Sequence, residues 1–275
     1  MRTALIVGDL HCGSLYAPFP AGFVTSYGSE YAPNIGQRYL NECWQDMAGK
    51  LPALDVIFAN GDMIDGQQPK DEGRFLCEPD PVFQARAARI LLAPILSKLK
   101  PSGVVLWREG TDYHEGRAAM HAEALAEWCG ARPTAGRYAK AWEITDVDGV
   151  VLDVAHNAPG FERYRASALD KLLGFAAENA DWLGGTDCIV RSHLHLDYWC
   201  VQHGLQVAVH CPAWELQTHY AQKSKAPMRM LSRWIGSVLL NIDAAWRERN
   251  QAAVQVVPLL YEHPRPGAER TGGAS

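Results

Sequence analysis

The chain has no Cys-x-x-Cys pair. Its seven cysteines, Cys12, Cys43, Cys77, Cys129, Cys188, Cys200 and Cys211, are odd in number and stand singly along 275 residues. That excludes a thiolate zinc knuckle and argues against a disulfide framework. Reduced, mostly buried thiols in a cytoplasm are the expectation. No apolar run approaches the ~20 residues that cross a bilayer, so no membrane partner is expected. No secretory leader is visible, because Thr3–Val7 runs straight into a polar motif and reads as a core strand. There is no internal repeat and no linker. Residues 1–262 therefore read as one domain, and the Pro-, Gly- and Ser-rich tail 263–275 reads as disordered. An excess of positive charge is missing too: Lys and Arg number 26 against 31 Asp and Glu, a net charge of −5. This speaks against a broad nucleic-acid-binding surface and leaves room only for a local basic groove.

What is present is an ordinary globular composition, 48% hydrophobic and 21% charged, in a chain long enough to bury a substantial core. Short apolar runs at Thr3–Val7, Asp55–Ala59 and Gly103–Trp107 read as strands buried on both faces. Between them, 36–50 and 82–99 read as helices, with Pro94 placed to kink the second. Residues 13–35 form a long loop, a length that in a compact domain usually serves function. A helix is expected over 115–129. Ala141–Thr145 and Val150–Ala155 pair through Asp148-Gly149, a hairpin turn signal. A helix over 162–179 follows, then short strands at Cys188–Arg191, Tyr198–Gln202 and Leu205–Val209, and late strands at Trp234–Ile242 and Val254–Tyr261. This order predicts a layered α/β domain with a mixed sheet or two packed sheets.

The informative pattern is where the polar residues fall. Sites in open α/β sheets assemble beyond the carboxyl ends of strands. The expected strands end in Gly8-Asp9-Leu10-His11, in Asn60-Gly61-Asp62-Met63-Ile64-Asp65-Gly66, and in Glu109-Gly110-Thr111-Asp112-Tyr113-His114-Glu115. Two later ones end in His156-Asn157 and Ser192-His193-Leu194-His195. In extended backbone, residues i and i+2 point the same way, so Asp9 with His11, and His193 with His195, would each aim two ligands at one place. Imidazole and carboxylate without thiolate suit zinc, manganese or iron.

Asp-x-His, Gly-Asp-x-x-Asp-Gly, Gly-x-x-x-His, a lone His and His-x-His, in this order over residues 5–195, resemble the calcineurin-like metallophosphoesterases. The resemblance implies a four-layer α/β/β/α sandwich, two sheets between helices, holding two divalent ions. It implies that Asp9, His11 and His195 hold one ion, that His156 and His193 help hold the other, and that Asp62 bridges them. The family's third motif usually reads Gly-Asn-His-Asp or Gly-Asn-His-Glu. Here the ligand Asn is absent, and Asp112, a carboxylate, is preferred to Thr111 as its replacement. His114 then matches the catalytic His, displaced by two residues, with Asp65 orienting it. The implied chemistry is hydrolysis of phosphate mono- or diesters by a bridging hydroxide held between ions about 3.5–4 Å apart, with His114 serving the leaving oxygen.

Each residue also has a plainer reading. Asp62 and Asp65 follow a glycine and could be turn residues. Asp112 could cap a helix, and His156 could be a core histidine. His121 lies seven residues after His114, which would place both on one helix face, and reads as structural. His203, His210, His219 and His263 have no partner pattern. The nine tryptophans read as core and pocket wall. Residues 222–233 carry Lys223, Lys225, Arg229 and Arg233 and no acid; they read as a solvated loop or as a contact to substrate phosphates. The expected substrate is a small phosphorylated molecule or nucleotide, with nucleic acid possible. A non-catalytic metal-stabilised binding module is the alternative, and amide hydrolysis a weaker one.

Overall fold

The computed structural model describes residues 1–158, 166–224 and 231–264. Strands β1 (Arg2–Val7), β2 (Leu54–Asn60), β3 (Leu99–Arg108) and β4 (Ala139–Lys140) run parallel. A second group follows along the chain: β5 (Trp142–Val147), β6 (Val150–Ala155), β7 (Cys188–Arg191), β8 (Trp199–His203) and β9 (Gln206–His210). The late strands β10 (Trp234–Ile242) and β11 (Val254–Glu262) return to the first group, β10 lying antiparallel to β1. The result is a six-stranded sheet ordered β11-β10-β1-β2-β3-β4 and a five-stranded sheet ordered β5-β6-β7-β9-β8. The helices are α1 (Ile35–Lys50), α2 (Pro81–Leu96), α3 (Asp112–Glu115), α4 (Met120–Trp128), α5 (Ser167–Glu178), α6 (Ala180–Leu183) and α7 (His219–Ser224).

The layers follow from the two-residue period of a strand. Leu5, Val7, Ile57, Val105 and Trp107 join one apolar cluster with Leu40, Trp44 and Met47 of α1, Leu91 of α2 and Leu125 of α4. Their alternates Ala4, Ile6, Val56, Phe58 and Leu106 face Leu152, Val154, Val190 and Val209 of the other sheet. Beyond that sheet, Leu169 and Leu173 of α5 pack on Ile189 and Ala208. This is an α/β/β/α sandwich. Among the described residues no helix is long and apolar enough to cross a membrane.

Local chemistry sets the element ends. Asn34 and Gln37 form a reciprocal capping box at the start of α1, and Asp80 caps α2 with Pro81 at its first turn. These satisfy N–H groups that have no partner inside the helix. The expected helix over 115–129 is instead broken. Gly116 at φ 77° and left-handed Ala118 and Ala119 divide it into α3, a short 3-10 turn over Arg117–Ala119 and α4. His114 and His121 therefore do not share a helix face. Buried amides pin the loop expected over 13–35. The Tyr31 hydroxyl donates to Gln37 Oε1 at 2.7 Å, and Gln37 Nε2 donates to the Ser14 carbonyl at 3.1 Å.

Two polar side chains stitch the sheets together where their parallel strands end. Asn60 Nδ2 at the end of β2 donates to Ser192 Oγ at 2.7 Å and to the Ala155 carbonyl at 3.2 Å. The fully buried Arg108 donates from Nε to the Val154 carbonyl at 2.9 Å and from Nη2 to Thr145 Oγ1 at 3.0 Å. A buried guanidinium persists only when its donors are satisfied in this way. The parallel strands of both sheets thus end side by side, and the candidate residues lie just past those ends.

Candidate metal centre

Loops after β1, β2 and β3 of one sheet and after β6, β7 and β9 of the other meet at this edge. Among the described residues four groups of ligand-type atoms form there: Asp9, His11 and His195; Asp62, His156 and His193; His11, Asp62 and His114; and His11, Asp65 and Glu215, each with its atoms within 4.8 Å of one another. His11 and Asp62 recur between groups, so the clusters are contiguous. His193 and His195 fall in different groups, contrary to the expectation that an i, i+2 pair aims at one place. The reason is backbone conformation. Asp9, His11, Asp62, His193 and His195 are not extended but left-handed, with φ of 49°, 46°, 50°, 73° and 47°. Non-glycine residues rarely sit there, at a cost of order 1–3 kcal/mol each, and such strain gathers at functional sites.

The imidazoles share one arrangement. His11 Nδ1 lies 3.1 Å from Asp65 Oδ1, His195 Nδ1 3.2 Å from Glu215 Oε2, and His156 Nδ1 2.8 Å from the Asn60 carbonyl. A proton on each Nδ1 serves these acceptors and leaves the Nε2 lone pair free, as metal-ligating histidines are held. The free nitrogens converge. His11 Nε2 and His195 Nε2 are 2.9 Å apart, and Asp9 Oδ1 is 3.2 Å from His195 Nε2 and 3.8 Å from His11 Nε2. His156 Nε2 stands 3.0 Å from Asp62 Oδ2. Ligand atoms about 2.0–2.2 Å from a tetrahedral zinc are spaced about 3.2–3.6 Å from one another. Asp9 Oδ1 and His156 Nε2 are also buried without a hydrogen-bond partner, a state that costs free energy unless something else satisfies it. The residues fit divalent cations.

Other groups hold the shape. Asp9 Oδ2 accepts the His193 N–H at 3.0 Å. Asp62 Oδ1 accepts the Thr111 N–H at 2.7 Å. Buried Glu115 accepts the Met63 and Gly110 N–H groups, bracing the turn that carries Asp62 against the one that carries Thr111. Burial and the Asp62 charge push Glu115 up to about 7. His114 Nδ1 lies 2.8 Å from the Asp65 carbonyl and 3.1 Å from its carboxylate, so Asp65 holds His114 by both. Asp112 is not brought in. It is exposed on the first turn of α3 and joins none of the groups. The residue expected to replace the missing Asn thus lies apart from the ligand groups, and it is the Thr111 N–H that donates to Asp62.

Charges respond to one another across the cluster. Burial works against ionisation at Asp9 and Asp62, yet His156 holds both carboxyls below the usual carboxylate range. Burial also opposes charge on the imidazoles. Glu215 and Asp65 still raise His11, and Asp62 and Asp9 raise His156 to about 10. At His114, burial and His11 pull down while Asp65 and Asp62 pull up, and the net is a raised value. Burial and His156 lower His193. In the metal-free protein, protons take the place of cations. A metal must displace them, so affinity should climb with pH until His156 loses its proton near 10, with protons released on binding. Isothermal titration with Mn²⁺ in buffers of different ionisation enthalpy measures this. Equal affinity at about pH 6 and about pH 9 would remove His156 from the ligand set.

The linear pattern of residue types gives no role to Glu215, Glu115 or Asn60. Glu215 follows β9 by five residues and has one visible signal, an acid after a strand end; nothing in the linear pattern ties it to His195. His219 and His263 also line the cavity beside the site. The cationic segment divides: Lys223 is exposed on α7 and does not line that cavity, and Arg233 lies over the Trp234 ring and pairs with Glu262. Lys225 and Arg229 lie outside the described residues, as does the tail from 265.

Gly110 explains its own residue type. A Cβ there would overlap the Asp62 carboxylate and backbone nitrogen. Gly110→Ala is expected to displace Asp62 and weaken metal binding by at least about 10-fold, the scale on which outer-shell changes act. Metal titration checks this, with far-UV circular dichroism unchanged. An unaltered metal affinity would show that Asp62 is not held by this contact.

No protein-family model and no curated protein matches the chain. Solved structures of low identity do. One is a conserved uncharacterized protein, a predicted phosphoesterase, from Streptococcus pneumoniae: 12% identity, 97% of this chain and 94% of that one covered, TM-score 0.37. Another is a novel archaeal phosphodiesterase: 7% identity, 93% and 99% covered, TM-score 0.43. A third is Vps29 from Chaetomium thermophilum: 12% identity, 100% of both chains covered, TM-score 0.43. The chain is similar to these proteins, and its α/β/β/α layering stands on its own strands and helices.

Proposed function

We propose that this chain is a calcineurin-like metallophosphoesterase, a metal-dependent hydrolase of phosphate esters with two divalent ions. The carrying observation is the convergence of buried Nε2 and carboxylate atoms in adjoining groups, with Asp9 Oδ1 and His156 Nε2 making no hydrogen bond that meets the geometry of one. In this reading Asp9, His11 and His195 hold one ion, His156 and His193 the other, and Asp62 lies between. When bound, such ions supply Lewis-acid polarisation of phosphoryl oxygens and an activated water. The chain's own residues do the rest. His114, held at Nδ1 by Asp65, lines the cavity, and as imidazolium it would offer its Nε2 proton to the leaving oxygen. Glu215 and Asp65 fix the ring orientations of His195 and His11. The cavity at the site measures about 750 Å³, within the ~300–1,000 Å³ usual for small molecules. Its size and the net charge of −5 favour a small ester over nucleic acid.

A non-catalytic metal-stabilised module is the second reading, and it draws on exposed Asp112, which leaves the third motif without its usual ligand. One experiment separates the two. The protein is stripped with a chelator, reloaded with Mn²⁺, Zn²⁺ or Fe²⁺, and assayed on p-nitrophenyl phosphate and bis(p-nitrophenyl) phosphate. Metal-dependent turnover of either ester is expected. Stoichiometric metal with no turnover on either would leave the binding module.

A further inference from the structure

The cavity reaches well beyond the histidines, and its outer wall is aromatic. Phe75 and His219 present rings within 25° of parallel, centroids 5.8 Å apart, and Tyr16 lies 5.9 Å from Phe75. Tyr220, next in the chain to His219, also lines the cavity and is 71% exposed. These residues come from three separated segments, the loops after β1 and β2 and helix α7. Backbone hydrogen bonds tie the segments together: the Leu15 N–H donates to the Phe75 carbonyl, and the Leu216 N–H to the Tyr16 carbonyl, both at 2.8 Å. The wall is therefore built before any ligand arrives.

Charge in the cavity is as informative. Among the described residues, Lys70 is the only Lys or Arg that lines it, and its ammonium sits 5.5 Å from the Tyr113 ring centroid. Asp65, Asp71 and Glu215 line it as well. Among the described residues outside the metal ligands, a chain of phosphates would meet these acids and one exposed lysine. A flat, uncharged group would find ring faces, which bind any π surface with little regard to sequence or substituent.

We propose that the substrate is a phosphate ester bearing one planar aromatic group, a nucleobase or a simple aryl ring, which stacks on the wall of Tyr16, Phe75, His219 and Tyr220 while the phosphate lies at the histidines. This rests on the hydrolase reading for its reaction and on the wall alone for its recognition. Lys223, expected as a contact to extra phosphates, does not line this cavity, and Lys225 lies outside the described residues.

The test pairs kinetics with direct binding. Phe75→Leu keeps apolar bulk and removes the flat face; Tyr220→Ala removes an exposed ring at little risk to folding. With the metal-loaded protein, the double variant should raise KM for adenosine 5′-monophosphate by about 5- to 100-fold, the usual worth of base stacking. KM for glycerol 2-phosphate should stay within about twofold, and kcat for both should hold, since the lost contact is remote from the reacting centre. Phenyl phosphate tells the two sources apart: a KM as low as that of the nucleotide points to an aryl ester, a much higher one to a nucleoside. Calorimetric titration with adenosine, which has no phosphate to cleave, should detect binding in the wild type and its loss in the double variant. Hydrolysis of all three esters with equal KM, and no adenosine binding, would overturn the aromatic site and leave the hydrolase. Adenosine binding lost in the variant, with no ester cleaved, would support the site and refute the hydrolase.

Discussion

Asp62→Asn is expected to cost at least one of two divalent ions per chain and to lower turnover by more than about 10³-fold. The argument is electrostatic. Asp62 belongs to both the His11–His114 group and the His156–His193 group, so one carboxylate serves both sides of the centre. The amide keeps the shape but removes the negative charge. It also puts a donor either where Asp62 Oδ1 accepts the Thr111 N–H or where Oδ2 meets His156. A loss of several kcal/mol of transition-state stabilisation corresponds to some 10³-fold or more in rate. Metal content by mass spectrometry and turnover on p-nitrophenyl phosphate are the measurements. The same variant unfolded with chelator present separates loss of metal from loss of fold. Full metal content together with full activity would dismantle the ligand assignment.

His114→Ala should retain the ions and lower turnover by about 10²–10⁴-fold, the usual worth of a positioned proton donor. His114 stands near His11 and Asp62 in one ligand-type group, so metal content must be read alongside the rate. The leaving group is the discriminating variable. An ester with a poor alkoxide leaving group needs the proton, and p-nitrophenolate scarcely does. The loss should therefore be large for glycerol 2-phosphate and small for p-nitrophenyl phosphate. The same loss on both would take the acid role away from His114. A fall in metal content would make it a ligand instead. Without metal, and against burial and His11, Asp65 and Asp62 raise His114.

Much of the architecture was legible because the central strands β1 and β2 are apolar on both faces. A run such as Leu5-Ile6-Val7 or Val56-Ile57-Phe58 has one face for helices and one for a second sheet, and only a buried strand can use both. The late strands Trp234–Ile242 and Val254–Glu262 were equally plain. Where the reading failed, the cause was backbone that composition does not announce. Nothing in the Ala- and Glu-rich run after His114 signals left-handed Ala118 and Ala119, and the expected long helix breaks there. The same holds for His193 and His195, which an extended strand would aim together and a left-handed turn sends to different groups.

By itself the sequence determined which residue types arrive at strand ends: Asp9, His11, Asp62, Asp65, His114, His156, His193 and His195 all lie within a few residues past an apolar run. It determined the layered class as well, because a short continuous apolar run is a local property that folding preserves. Only the tertiary structure decided which of those residues meet. It left Asp112 in solvent and brought Thr111 to Asp62. It also placed Glu215 behind His195 and built an aromatic wall from Tyr16, Phe75 and His219. Such contacts join residues far apart in the chain, as Ser14 to Glu215 at a separation of 201. Their geometry depends on the packing of two sheets and on turns at unusual φ, which a one-dimensional pattern of residue types does not encode.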